Sequence, residues 1–432
     1  MRQTALALVL AAAALSWAPP AVAAEQEKAI EPAAKVTLFD GKTFEGLHRH
    51  LRGGGDVDKT WTVKEGGVLA CSGRPAGYIR TKKAYRNYKL HVEYRWPGRT
   101  GNNGILVHMT GPDQVWPKSL ECQGMYRNQG DYFEIGGIQF NEHTIGGHRV
   151  RGRRVVKYGE HNEKKPGEWN VYEVWCVGDA VRPYVNGKLM NEATDCSVTG
   201  GKICLQSEGA PIEFRNIYLE PANDKNKPWP VTPTKKLELF NGKDLAGWVR
   251  FIPNDKRDPK TKKWQADAVW SVGDGVIRCK GKPNGYIRTQ EHYANYRLHV
   301  EWRWVEKPTN SGVLLHRSGI DKVWPTCVEA QLMHENAGDI WLLSGSWLTA
   351  GGKKTGGKPY ANVKKKAASS EKPAGQWNSY DIVCDGSSVK LTVNGVLQNE
   401  GTDAKPSSGP ICLQSEGSPI EFRNIYLEPL KK

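Results

Sequence analysis

An all-β chain of two tandem sandwich domains is predicted by three features of the sequence: alternation with a period of two, paired Asn-Gly turns, and a long internal repeat. Apolar and polar residues alternate in Leu90-His91-Val92-Glu93-Tyr94-Arg95-Trp96 and again in Leu298-His299-Val300-Glu301-Trp302-Arg303-Trp304. A half-buried strand needs that pattern because successive side chains point to opposite faces. Asn186-Gly187 and Asn394-Gly395 supply the positive φ angles of two-residue hairpins. No 3.6-residue period is sustained, and 47 Gly with 25 Pro favour many short strands joined by turns. The expected architecture is an antiparallel β-sandwich or jelly roll, built twice.

The repeat sets the domain organisation. Gly77-Tyr78-Ile79-Arg80-Thr81 returns as Gly285-Tyr286-Ile287-Arg288-Thr289, and Val115-Trp116-Pro117 as Val323-Trp324-Pro325. Glu121-x-Gln123 returns as Glu329-x-Gln331, an offset of 208 residues (329 minus 121). A period this long marks duplicated domains and not a solenoid. At 432 residues the chain also exceeds the roughly 250–300 at which one core stops growing. The expected boundaries are 35–221 for the first unit and 237–430 for the second, with a polar, Pro-rich, extended linker over 222–236.

Hydrophobic content of 38% with 25% charged residues describes a soluble globular chain and excludes a mostly disordered one. Sixteen Trp and sixteen Tyr against eight Phe supply amphipathic rings that suit β-rich, sugar-handling surfaces. Arg2, the apolar stretch from Ala5 to Leu15 and Ala21-Val22-Ala23 read as a secretory signal peptide over 1–24. The expected localisation is therefore periplasmic or secreted. No later stretch approaches the roughly 20 apolar residues of a membrane span. Cys71, Cys176 and Cys204 recur as Cys279, Cys384 and Cys412, all in strand-like apolar runs, so buried free thiols are preferred to disulfides; with no CxxC pair, structural zinc has almost no support. Much of the net charge of +15 is local, at 148–154 and 353–366. Export argues against nucleic acid as a partner. These loops read as solvated, with acidic polysaccharide as the sharper alternative.

Alternation also predicts which polar groups share a sheet face. His108 shares parity with Leu106, leaving Ile105 and Val107 to the core. Glu121 and Gln123 share one parity, and Gln206 and Glu208 another pair. The second unit repeats the set with His316, Glu329, Gln331, Gln414 and Glu416. A groove lined by carboxylate, amide and imidazole is expected in each unit, with Glu121 and Glu329 as its strongest members. Trp116 and Trp324, each before a proline, are the best sugar-stacking candidates. Glu93 and Glu301, with His91 and Arg95, read equally well as a solvated strand face of cross-strand charge pairs, and Arg215 and Arg423 in the final strand read as partners of Glu213 and Glu421. No P-loop, GxGxxG in a βαβ context, GxSxG elbow or HExxH occurs.

Ordered motifs then carry a resemblance. Leu-Phe-Asp-Gly-Lys at 38–42 and Leu-Phe-Asn-Gly-Lys at 239–243 open the units; Asn-Ser-Gly-Val-Leu-Leu-His stands at 310–316. Lys-Pro-Gly-Glu-Trp-Asn at 165–170 and Lys-Pro-Ala-Gly-Gln-Trp-Asn at 372–378 follow, and Ile-x-Leu-Gln-x-x-Gly with Phe-Arg-Asn-Ile closes both. This resembles the 3-keto-disaccharide hydrolase family, in two copies. The resemblance implies a concanavalin A-like lectin/glucanase jelly roll and cleavage of glycosides oxidised at C3.

A C3 ketone acidifies the C2 proton, so the implied chemistry needs a base, an acid and an electrophile or metal at the enolate oxygen. Glu121 and Glu329 are the implied bases or metal ligands, with Gln123 and Gln331 orienting the sugar. His108 and His316 are the implied catalytic or metal-binding imidazoles, and Asp131 and Asp339 are weaker metal candidates. A divalent metal is the only candidate cofactor and a carbohydrate the expected substrate. The chain departs from the usual Leu-Gln-Asp-His-Gly by placing Glu208 and Glu416 where a His is common. A non-catalytic lectin-like pair and a conventional glucanase are the competing expectations.

Overall fold

A computed structural model describes residues 28–145, 149–261 and 263–431. The expected signal peptide lies outside the described residues. Among those residues helix is confined to Val57–Thr60, Asn141–Thr144, Gln265–Val269 and one 3-10 turn at Arg52–Gly54. The rest is strand and turn, as the period-two pattern requires.

Each unit is two antiparallel sheets packed face to face. The back sheet of the first unit centres on Asn170–Val177, Tyr88–Arg95 and Ile212–Pro221. Its front sheet runs, in spatial order, through Tyr132–Ile135, Lys118–Gln123, Gly104–Thr110, Lys202–Ser207, Gly77–Thr81 and the edge strand Leu47–Leu51. Gly104–Thr110 lies beside Lys202–Ser207 because the chain crosses repeatedly between the sheets, which gives the jelly-roll connectivity. In the second unit the corresponding front strands are Ile340–Leu343, Thr326–Gln331, Gly312–Ser318, Cys412–Ser415, Gly285–Thr289 and the edge Trp248–Phe251. The Asn-Gly turns form as expected: Asn186 and Gly187 have φ of 49° and 78°, Asn394 and Gly395 48° and 80°.

The core of the first unit lies between its sheets. Leu90, Val92 and Tyr94 from the back meet Ile105, Val107, Leu120, Cys122, Ile203 and Leu205 from the front. Truncating Leu90 to Ala would leave a cavity there and cost about 2–5 kcal/mol. All nine cysteines are buried and unbonded, most of them lining strands. On the outer side of the back sheet the alternate residues form cross-strand ion pairs, Arg215 to Glu93 at 2.6 Å and Arg423 to Glu301 at 2.6 Å. These four charges are a solvated strand face, on the sheet opposite the candidate groove; Arg215 and Arg423 pair across the strands and not with Glu213 and Glu421, which Arg95 and Arg303 hold.

The outer side of the front sheet is different, because it is covered. Tyr78, Leu106, Met109, Ile135 and Cys204 form a second small apolar cluster there. The loop 111–117 folds back over it, fastened by Asp113, which accepts from Tyr78 Oη at 2.8 Å and from Arg80 Nε at 2.7 Å. Asp321 holds the matching loop in the second unit through Tyr286 Oη at 2.6 Å.

The segment 222–236 is extended in part, but packing rather than proline fixes it. Trp229 is buried against Val177 and Ala222 beneath the Arg182 guanidinium, 4.4 Å from its ring centre. The units also touch directly: Val249 of the second packs on Tyr158 and Leu189 of the first. Beside that contact Glu192 accepts from Arg182 and meets His292 Nε2 at 3.0 Å, with Arg182 and Glu192 both fully buried.

Candidate functional site

The register brings three side chains together on the covered front face. Glu121 on Lys118–Gln123 stands opposite Leu106, and Leu106 stands opposite Cys204 on Lys202–Ser207. Gln206 lies one step along that strand from Leu205, which pairs with Ile105, so it faces Gly104. A Cβ at Gly104 would overlap both Gln206 Oε1 and Glu121 Oε1. Glycine there is a steric requirement: the missing side chain is the space in which carboxyl and amide meet. Glu208 joins them from just beyond the strand, bridged by its backbone to Asn102, whose amide donates to the Glu208 carboxylate. In the second unit a Cβ at Gly312 would overlap Glu329 Oε1, and Asn310 and Trp324 both donate to Glu416.

The electrostatics follow from burial. Glu121 is pushed up to about 8 by desolvation and then by the neighbouring Glu208 charge, with Arg153 pulling the other way. Glu329 is pushed up to about 8 by desolvation and by Glu416. Burial raises Glu208 and Glu416 as well. Each unit thus holds a carboxyl pair in which one member keeps its proton at neutral pH, the condition for paired acid and base work. Around the pair, Glu121 Oε1, Gln206 Oε1 and Asn102 Oδ1 are buried without a protein partner among the described residues. So are Asn310 Oδ1 and both polar atoms of the Gln414 amide. Orphaned polar atoms converging on one spot are the mark of a ligand site.

The two tryptophans flank these pairs. Trp116 is 47% exposed and Trp324 38%. Trp116 sits under the Arg52 guanidinium at 4.9 Å, whereas Trp324 meets Tyr360 edge-on at 6.2 Å.

Several expected members fall elsewhere. His108 and His316 have φ of 57° and 56°, and the ladder slips between Val107 and Thr110 and between Leu315 and Ser318. That bulge breaks the alternation and swings each imidazole toward the core. His108 packs edge-on against Tyr88 and its Nδ1 faces Val198 O at 3.0 Å; His316 Nε2 meets Tyr296 Oη at 3.0 Å. Burial pulls both imidazoles down to about 4, so they are neutral structural groups.

Asp131 is tied to Arg154 Nε at 2.6 Å and to Lys157 N at 2.8 Å, and Asp339 to Lys364 Nζ at 3.0 Å. The residues expected to hold a metal therefore do not converge. Among the described residues no three His, Cys, Asp or Glu gather with metal-site geometry. Gln123 spends its carbonyl on Met125 N at 2.7 Å and Gln331 on Met333 N at 2.7 Å, so each orders the following loop and leaves only its amide nitrogen for a ligand.

In the sequence Asn102, Gly104, Asn310 and Gly312 read only as glycine-rich turns before His108 and His316, and alternation does not single out Phe133 and Trp341, which stand opposite Glu121 and Glu329. The signal was present: Asn102 and Asn310, like Gly104 and Gly312, are identical across the repeat. Asn103 and Ser311 differ, yet both donate to the backbone carbonyl of the site glutamine, Gln206 or Gln414, so that swap conserves a function.

The family model of the 3-keto-alpha-glucoside-1,2-lyase-like domain matches residues 34–220 and 235–428. Among solved structures, the chain is similar to a candidate glycosyl hydrolase from Parabacteroides distasonis ATCC 8503, with 25% identity and a TM-score of 0.34 over 46% of this chain and 94% of that one. It is also similar to the carbohydrate-binding module CBM66 from Bacillus subtilis, with 11% identity and a TM-score of 0.29 over 42% and 95%. A third is a β-glucanase from Bacillus licheniformis, with 12% identity and a TM-score of 0.31 over 46% and 99%. No curated protein matches.

Proposed function

Because the chain belongs to the 3-keto-alpha-glucoside-1,2-lyase-like domain family, we propose that each unit cleaves glycosides oxidised at C3, by elimination across C1 and C2 followed by hydration. The observation that carries this reading is the carboxyl pair in each unit, Glu121 with Glu208 and Glu329 with Glu416, whose first member lies over a glycine.

Glu208 removes the C2 proton, and the C2–H electrons pass into an enolate at the C3 oxygen. The enolate re-forms the carbonyl and expels the C1 oxygen, which departs with the proton held by Glu121. Water then adds across the C1–C2 double bond. The Gln206 amide faces the developing oxyanion, and Asn102 fixes the Glu208 carboxylate. Glu329, Glu416, Gln414 and Asn310 take the same parts in the second unit. Giving Glu121 and Glu329 the donor role reverses the expectation that they are bases, because the more deeply buried member of a carboxyl pair keeps its proton. Trp116 and Trp324 stack on the sugar ring. The Arg2, Ala5–Leu15 and Ala21-Val22-Ala23 pattern supports export as the setting for this activity.

The test is incubation with a 3-keto-glucoside and its unoxidised counterpart, with and without chelator. Consumption of the ketone alone is expected. E121Q/E329Q lowers the rate by at least about 100-fold, the usual scale of general acid–base catalysis. Binding without turnover points instead to a lectin-like role, and equal turnover of the plain sugar to a conventional glucanase.

A further inference from the structure

The two clefts share their carboxyl pair but not their walls. On one flank, the edge strand carries His50 opposite Tyr78 in the first unit and Phe251 opposite Tyr286 in the second. Two residues further on, the exposed Arg52 guanidinium caps Trp116 at 4.9 Å, where the second unit has Pro253. On the other flank, Arg154 pairs with Phe133 and Asn362 with Trp341; the exposed Arg153 precedes Arg154 in the turn, where the second unit has Ala361, packed against its core. Arg153 stands close enough to Glu121 for its charge to be felt there, while no cation acts on Glu329. Arg154 is already neutralised by Asp131, as Lys364 is by Asp339. The difference in exposed charge is two guanidinium groups beside the first cleft against the aromatic rings of Trp324, Tyr360, Trp341 and Phe251 in the second, whose one added cation, Arg317 in place of Met109, is buried and held by Asp321.

An anionic ligand entering either cleft meets the ionised member of its carboxyl pair, Glu208 or Glu416, a repulsion that a compensating cation offsets. Resting on the reading that both clefts hold glycan, we propose that the first cleft takes a sugar bearing a negative charge and the second takes a neutral one. Arg52 and Arg153 are the specificity-determining residues, their forked donors matching a carboxylate or sulfate.

The test uses the full chain as E121Q/E329Q, which binds without turning over. Three probes are titrated: a methyl 3-keto-glucoside, its C6-carboxylate counterpart and its 6-sulfate. The neutral probe is expected at two sites per chain and the charged probes at one, with the two charged arms showing which anion is preferred. Adding R52A/R153A lowers the ratio of charged to neutral affinity about tenfold, the scale of one or two half-exposed charge contacts. Adding P253R, at the exposed position that matches Arg52, opens the second site to the charged probes. Two charged-probe sites in the parent, or an unchanged ratio in R52A/R153A, overturns the proposal and leaves the catalytic reading standing. Failure of all three probes to bind overturns both.

Discussion

Glu208 raises the proton affinity of Glu121 although a whole strand, Gly104–Thr110, lies between the strands that carry them. Between them Gly104 leaves the space in which Glu121 meets Gln206. In the second unit Glu416 raises Glu329 in the same way, and Glu329 lies over Gly312.

G104A and G312A place a methyl group where the carboxyl, and in the first unit the amide, now sit. Neither glycine has positive φ, so the backbone accepts alanine and the chain folds. Steady-state kinetics of the double variant should show kcat/KM down by about 100-fold or more, since a misplaced catalytic group costs on that order. A loss confined to thermal stability, with normal kinetics, would remove the glycine gap from the mechanism.

The carboxyls also fix a pH dependence. Unfolded, Glu121 and Glu329 titrate near the ordinary 4.5; folded, near 8. Between those values the folded chain keeps protons that the unfolded chain has released, so stability falls as pH rises from about 4.5 to about 8. Denaturant titrations across that window should show the slope in the parent and a flatter curve in E121Q/E329Q. At pH 8 the double variant should be the more stable of the two while remaining inactive. In the parent, kcat/KM should decline above about pH 8 as the donor proton is lost.

H108F and H316F test the structural assignment of the imidazoles. Losing the Tyr296 contact and the Val198 contact should cost about 1–3 kcal/mol in stability. Turnover per folded molecule should stay within a few-fold of the parent. A hundredfold fall in kcat with unchanged stability would return the histidines to the active site.

Arg182 and Glu192 form a buried pair at the junction of the units. R182A strands a buried carboxylate and should destabilise the chain by about 3–5 kcal/mol in equilibrium unfolding, more than any exposed charge removal. An effect below about 1 kcal/mol would mean that the pair is solvated.

Fold class was legible because burial by alternate residues is written directly into Leu90–Trp96 and its repeat, and because Asn-Gly admits few conformations. The same rule identified Glu121, Gln206 and Glu208 as outward-facing. It failed at His108 and His316, where a bulge inserts one residue and inverts the parity; nothing in Leu-Val-His or Leu-Leu-His announces that slip. It also could not show that the outward face is roofed. That depends on Asp113 reaching back to Tyr78 and Arg80 across more than thirty residues of chain, a tertiary contact with no local signature. Nor does alternation show that Glu121, facing outward, is desolvated and holds its proton.

The most direct test is the rate with a 3-keto-glucoside deuterated at C2, compared with the protiated substrate. Removal of the C2 hydron by the carboxyl pair predicts a primary isotope effect on kcat/KM and loss of turnover in E121Q/E329Q. Cleavage with no isotope effect, or at an undiminished rate in that variant, would contradict the account.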